Sequence, residues 1–284
     1  MSNFNKILEA MKAMKQSGGG DRQDDENFWR AELDKAGNGY AIIRFLPGKT
    51  EDDLPFVRVY DHGFQGASGR WFIEKCPTTI GGECPVCQAN GVLWNSGIES
   101  NKDIVRKRKR REAFIANVLV VSDPKNTDNE GKVFKFKFGK KIMQKLLDTM
   151  EPPAEFVDEK PVDIFDMTEG ANFKLKIRKV DGFANFDKSE FDVVSAIPAK
   201  KQKEILGQLH DLQGHIDPTT FKTFDELNVK FKRAVAVVDE SPAKATDDGE
   251  SRPVRTSGKK VDKAPAADED NMDYFRSLAE ETEE

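Results

Sequence analysis

The chain has 284 residues, 37% of them hydrophobic and 33% charged, which suits a soluble protein with a real core and polar extensions. No apolar run approaches the ~18 residues of a bilayer-spanning helix, and no h-region marks the N-terminus, so a cytosolic protein with no membrane partner is expected. The net charge of −5 hides a segregation: residues 239–284 carry 14 acidic and 7 basic side chains, whereas residues 1–238 carry 36 and 38.

In chain order, residues 3–16 read as a short amphipathic helix, with Phe4, Ile7, Leu8, Met11 and Met14 on one face and Ser2 or Asn3 as cap. A lone helix this short is marginal in water, so its apolar face needs a partner surface. Gly18, Gly19 and Gly20 and the polar stretch to Glu26 form a hinge, which points to an arm reaching another molecule rather than packing on its own domain. The body begins near Asn27. Residues 40–46 form a strand closed by Pro47-Gly48, and residues 55–60 and 69–74 form two more.

The stretch 62–111 holds all three cysteines, Cys76, Cys84 and Cys87, together with His62, Trp71, Phe72 and Trp94. Cys84-Pro85-Val86-Cys87 is a C-x-x-C knuckle, and a tight turn brings both sulfurs to one side of the chain. With His62 and Cys76 it makes a Cys₃His set for one structural zinc ion. A redox dithiol would leave Cys76 and His62 unexplained. A catalytic, deaminase-like zinc would need a glutamate after the histidine, where this chain has Gly63-Phe64, and Cys76 would close the open position. Residues 88–98 are predicted helical. Six consecutive cations follow: Arg106, Lys107, Arg108, Lys109, Arg110 and Arg111.

Beyond the run, residues 113–121 are an apolar strand starting near Phe114, and Asn129-Glu130-Gly131 marks a turn. Residues 133–138 alternate phenylalanine and lysine, so period two puts the rings on one face and the ammonium groups on the other. Residues 139–149 are helical and end at Glu151-Pro152-Pro153. Residues 171–180 alternate again, Asp181-Gly182 turns the chain, Phe183 and Phe186 lie in a loop, and residues 190–197 return as a strand. Two helices cover 199–212 and 223–237, with His210 and His215 read as ordinary surface residues. Short strands with turn signals indicate a mixed β with α fold, an OB-fold-like barrel core. Residues 239–267 lack periodicity and read as disordered. Residues 268–284 carry 8 acids against Arg276, with Met272, Phe275 and Leu278 as one apolar edge. The expected division is an arm over 1–20, a core over 21–238 containing a metal subdomain over about 62–111, and a linker with an acidic tail over 239–284.

Six adjacent cations repel one another unless a polyanion relieves them, and a phosphate backbone does so while releasing counterions. Rings add stacking that tolerates any base, roughly 1–3 kcal/mol each. Trp94, Phe114, Phe136, Phe183 and Phe186 are the candidate platforms, with Phe72 beside them. Walker, G-x-S-x-G and H-E-x-x-H patterns are absent, so no enzyme is expected. A single-stranded nucleic acid is the expected partner. An RNA-binding translational regulator, acting on its own mRNA, and a zinc-dependent nucleic-acid enzyme are the competing readings.

Over residues 27–237 the chain resembles the single-stranded DNA-binding, helix-destabilising proteins of T-even-type bacteriophages. The resemblance is carried by Ile42-Ile43-Arg44-Phe45-Leu46-Pro47, His62-Gly63-Phe64, Trp71-Phe72-Ile73-Glu74, Cys84-Pro85-Val86-Cys87-Gln88, Ala116-Asn117-Val118-Leu119-Val120-Val121 and Glu169-Gly170-Ala171-Asn172-Phe173. It implies an OB-fold core with an inserted zinc subdomain, the ion held by His62, Cys76, Cys84 and Cys87. It implies cooperative self-association through the N-terminal arm. It also implies an acidic C-terminal region that recruits replication and recombination proteins and competes with DNA for the groove. It places rings in the cleft at Trp94, Phe114, Phe136, Phe183 and Phe186, beside a basic strip from Lys107 to Arg111. The implied role is coating single-stranded DNA during replication, recombination and repair in the cytoplasm of an infected bacterial host. The arm here reads Asn3-Phe4-Asn5-Lys6-Ile7 where the family carries a basic motif with Ser or Thr, which suggests an apolar contact in its place.

Overall fold

Among the described residues, eight antiparallel strands form one curled sheet: β1 Gly39–Phe45, β2 Phe56–Gln65, β3 Trp71–Lys75, β4 Arg111–Ser122, β5 Val133–Phe138, β6 Ala171–Val180, β7 Phe183–Asn185 and β8 Glu190–Val194. The structure is a computed structural model that describes residues 4–6, 27–155 and 158–236. The strand order is β3-β2-β4-β1-β6-β7, with β5 paired to β4 and β8 to β6. Strand β4 is the hub. Its first half pairs with β2, its second half with β1, and its middle with β5. One long strand serving three neighbours makes the sheet curl, giving the half-barrel expected of an OB-type core.

Alternation explains the inner face. Ile43 and Phe45 of β1, Phe114, Ala116, Val118 and Val120 of β4, and Phe173, Leu175 and Ile177 of β6 all point inward. Phe45 is the hub of the rings, with Phe136, Phe138, Phe165 and Phe173 at centroid separations of 6.3, 5.5, 6.0 and 5.9 Å. Helix α3 (Lys140–Met150) closes this core with Ile142, Met143, Leu146, Leu147 and Met150. Its opposite face carries Lys140, Lys141 and Lys145. In β5 the rings and ammonium groups do separate by face, but the lysine face is covered. Lys135 is buried against Phe28 (4.7 Å to the centroid), and Trp29 N–H donates to the Lys135 carbonyl at 2.9 Å.

A second core holds the metal region. Phe64 and Phe72 of the β2–β3 hairpin pack with Cys76, Cys84 and Val86 against Leu227, Phe231 and Ala234 of α5 (Phe224–Val235). Helix α5 starts in a capping box, Thr223 with Glu226. Helix α1 (Pro85–Asn95) joins this core through Val86 and packs on α2 (Glu99–Arg108) and α5, and α4 (Ala199–Gly207) packs Ile205 against Leu46 and Ile197.

Several boundaries differ from expectation. Helix α1 begins at Pro85, not residue 88, because proline is pre-set for the first helical position. Helix α2 was hidden by the basic run, and β7 was read as loop. The return strand ends at Val194, and α4 ends at Gly207 rather than residue 212. His210 and His215 are half-buried rather than surface residues: His210 Nε2 lies 3.0 Å from the Val133 carbonyl, and His215 packs on Phe28 at 5.4 Å. Of the arm, residues 4–6 are described, and Phe4 packs on the barrel core of its own chain. The rest of the arm, the linker and the acidic tail lie outside the described residues.

Candidate metal centre and nucleic-acid interface

His62 lies mid-strand in β2, and Cys76 directly follows β3. Cys84 and Cys87 straddle the start of α1. Cys76 and Cys84 share one local solution: each has extended backbone, each is followed by proline, and each proline opens a helical turn. The chain therefore turns sharply after each sulfur, and all four side chains converge.

The ligand atoms of His62, Cys76, Cys84 and Cys87 lie within 4.8 Å of one another. His62 Nε2 is 3.4 Å from both Cys84 Sγ and Cys87 Sγ, and Cys76 Sγ is 3.6 Å from Cys87 Sγ. A tetrahedron with metal–sulfur bonds of about 2.3 Å has edges of roughly 3.5–3.8 Å, so the cluster can hold a metal ion with little adjustment. Proton chemistry points the same way. Burial alone would lower the His62 pKa, but hydrogen bonds to the Cys76 and Cys84 sulfurs push it up to about 9. Hydrogen bonds from Cys84 and Cys87 pull the Cys76 thiol down, and contact with Cys76 pushes Cys87 up. A divalent cation relieves such competition for protons among His62, Cys76 and Cys87.

The next layer of contacts ties this cluster to the cations. His62 Nδ1 lies 2.9 Å from the Arg108 carbonyl, which can only accept, so Nδ1 carries the proton and Nε2 faces the sulfurs. Arg110 Nη1 donates to Thr78 Oγ1 at 2.6 Å, and that hydroxyl lies within hydrogen-bond distance of Cys76 Sγ at 3.1 Å. The metal ligands thus fix the backbone at Arg108 and the side chain of Arg110.

The basic run is not one strip. Arg106 is paired in α2 with Glu99 at 2.8 Å and with Asp103, Lys107 is exposed, and Lys109 is half-buried at the helix end. Arg108 lies 5.8 Å from the centroids of both Phe64 and Phe231. Arg110 covers the Tyr60 ring at 4.3 Å, with Arg58 5.1 Å from the same ring. Arg111 turns back to donate to the Gly63 carbonyl. The chain crosses here from helix to strand, so successive side chains fan out instead of lining one edge.

The rings divide as well. Trp94 is 47% exposed, with Lys102 and Arg106 each 5.9 Å from its ring, and Phe183 is half-buried beside the Asp181-Gly182 turn. Phe114, Phe136 and Phe186 are 0%, 6% and 7% exposed. These three are corrected from stacking platforms to core residues, because a buried ring presents no open face to a base. Trp71, exposed on edge strand β3, is not among the predicted stacking rings, and the Arg58–Tyr60–Glu112–Lys140 group is not among the predicted site residues. That group did leave a signal: Arg58, Tyr60 and His62 alternate with period two, so they share the face of a metal ligand.

A family model described as gp32 DNA binding protein like matches residues 37–235. The single-stranded DNA-binding protein of Enterobacteria phage T4 is 40% identical over 283 residues, covering 96% of this chain and 89% of that protein. Its counterpart from Enterobacteria phage T2 is 40% identical over 272 residues, 93% of this chain and 85% of that protein. A single-stranded DNA-binding protein of Escherichia phage SV14 is 47% identical over 72 residues, 25% of this chain and 63% of that protein.

Proposed function

We propose, from the premise that the chain belongs to the family of gp32-like DNA-binding proteins, that it binds single-stranded DNA without reading its sequence. The observation that carries this reading is the hydrogen-bond path from the four-ligand cluster to Arg108 and Arg110. Cations anchored in this way meet a phosphate backbone with little loss of side-chain freedom. Lys107, Arg110, Arg58 and Lys140 are the phosphate contacts in this reading, and Trp94 and Phe183 are the rings that stack on bases. The metal is taken to be zinc, because three thiolates and one imidazole in tetrahedral spacing suit it best. Bound zinc would supply a closed structural clamp. With all four ligands from protein, no position remains for a substrate, and the function is binding without turnover.

In the same reading, the arm over residues 1–20, of which Phe4 packs on its own chain, links neighbouring copies along a strand through its remaining residues, and residues 239–284 contact replication and recombination proteins. The protein would act in the cytoplasm of an infected host, coating DNA opened for replication, recombination or repair.

The test is a salt titration of oligodeoxythymidylate binding, run beside a duplex and an RNA of equal length. The expected result is preference for the DNA single strand and a steep linear fall of log K with log salt. Equal affinity for duplex would overturn the reading. Preference for RNA would favour the translational regulator instead.

A further inference from the structure

Glu112 stands directly across from Tyr60 in the β2–β4 pairing and is 4% exposed. Cations converge on it. Arg58 Nη1 is 3.6 Å from Oε1 and Lys140 Nζ is 3.9 Å from Oε2. The Tyr60 hydroxyl donates to Oε1 at 3.3 Å, and the Arg110 guanidinium lies over the Tyr60 ring, 4.3 Å from its centroid. Oε2 has no hydrogen-bond partner. Both ion-pair separations exceed the length of a charge-assisted hydrogen bond, so the acid orients these cations without locking them. A buried, incompletely compensated carboxylate is costly, and a negative charge is out of place in a seam that receives phosphates.

We propose that Glu112 is a proton-coupled placeholder for a DNA phosphate. It keeps Arg58, Lys140 and Arg110 in place while no strand is bound, and takes up one proton from solvent when a phosphodiester draws those cations to its own oxygens. The proposal rests on the single-stranded DNA reading above and adds a positioning residue to it.

Burial pushes the Glu112 carboxyl up to about 7, with Lys140 and Arg58 holding it from rising further. A phosphodiester engages those two cations and adds a negative charge of its own, and both changes raise the carboxyl again. The charged and titratable groups facing it are Arg58 and Tyr60 from β2, Lys140 from α3 and Arg110 from the link into β4. The complex therefore binds more protons than the free protein at pH values just above 7. By linkage, affinity falls as pH rises through that window, by up to about tenfold per pH unit for one proton. Below it the carboxyl is already neutral and affinity is flat.

The experiment titrates the full chain with oligodeoxythymidylate at fixed salt from about pH 6 to about pH 8.5. Calorimetry in two buffers of different ionisation heat counts the protons. The wild type is expected to take up as much as one proton near the upper end. Glu112→Gln should lose that uptake and bind there as tightly as the wild type does in mild acid. Its thermal midpoint at high pH should be equal or higher, because the variant buries no charge. Binding by the wild type without proton uptake overturns the proposal, as does a folded Glu112→Gln that keeps the wild-type slope. Absence of any single-strand binding would overturn the functional reading instead. If Glu112→Gln fails to fold, the wild-type proton count decides alone.

Discussion

Cys76-Pro77 and Cys84-Pro85 show how much one dipeptide can specify. Proline sets the first helical residue, so each preceding cysteine is left extended with its sulfur facing the turn. The ligand set was legible in spacing for that reason. The rings were not. Alternation puts Phe114 and Phe136 each on one face of its own strand but cannot say whether that face is covered, and here both lie in the barrel core with the apolar side of α3. The two kinds of ring should separate on substitution. Phe114→Ala is expected to cost about 3–5 kcal/mol of stability, as large core truncations do. Trp94→Ala should leave the thermal midpoint nearly unchanged and weaken oligonucleotide binding by roughly 1–3 kcal/mol. Thermal denaturation and binding titrations on both variants check this. A folded, tight-binding Trp94→Ala would remove Trp94 from the interface.

Among the elements, α2 illustrates a signal that was present but masked. Glu99, Lys102, Asp103 and Arg106 are spaced by three or four, and Lys102 and Arg106 pair with Glu99 in the structure. Read as a charge run the segment looks like a loop, yet read for spacing it is a helix with its acid at the N-terminal end and its cations at the C-terminal end. Helix α5, predicted over 223–237 from its apolar spacing, forms over Phe224–Val235, and Thr223 with Glu226 is the added signal of its start. It closes the metal region by placing Phe231 on Phe64 and Phe72. Thr223→Ala, which removes half of the capping box, should cost about 1 kcal/mol in denaturant unfolding. No loss would mean that α5 is held by its apolar face alone.

Among the described residues, the barrel core and the metal-region core meet along strand β2, and the metal ligands sit on the side of the second. The curled sheet was predictable from its short alternating strands, because period two fixes an inward face and β4 is long enough to serve three neighbours. The seam was not, because it brings together residues far apart in sequence: Arg58, Thr78, Arg110 and Lys140. Their common reference is the cluster of His62, Cys76, Cys84 and Cys87, which holds Arg108 by its carbonyl and Arg110 through Thr78. Metal binding and strand binding should therefore be one coupled property. The most direct measurement follows oligodeoxythymidylate affinity, thermal midpoint and metal content together while a chelator strips the protein, with Cys87→Ser alongside. All three should fall in step and recover when zinc is restored, whereas full affinity in metal-free protein would contradict the coupling.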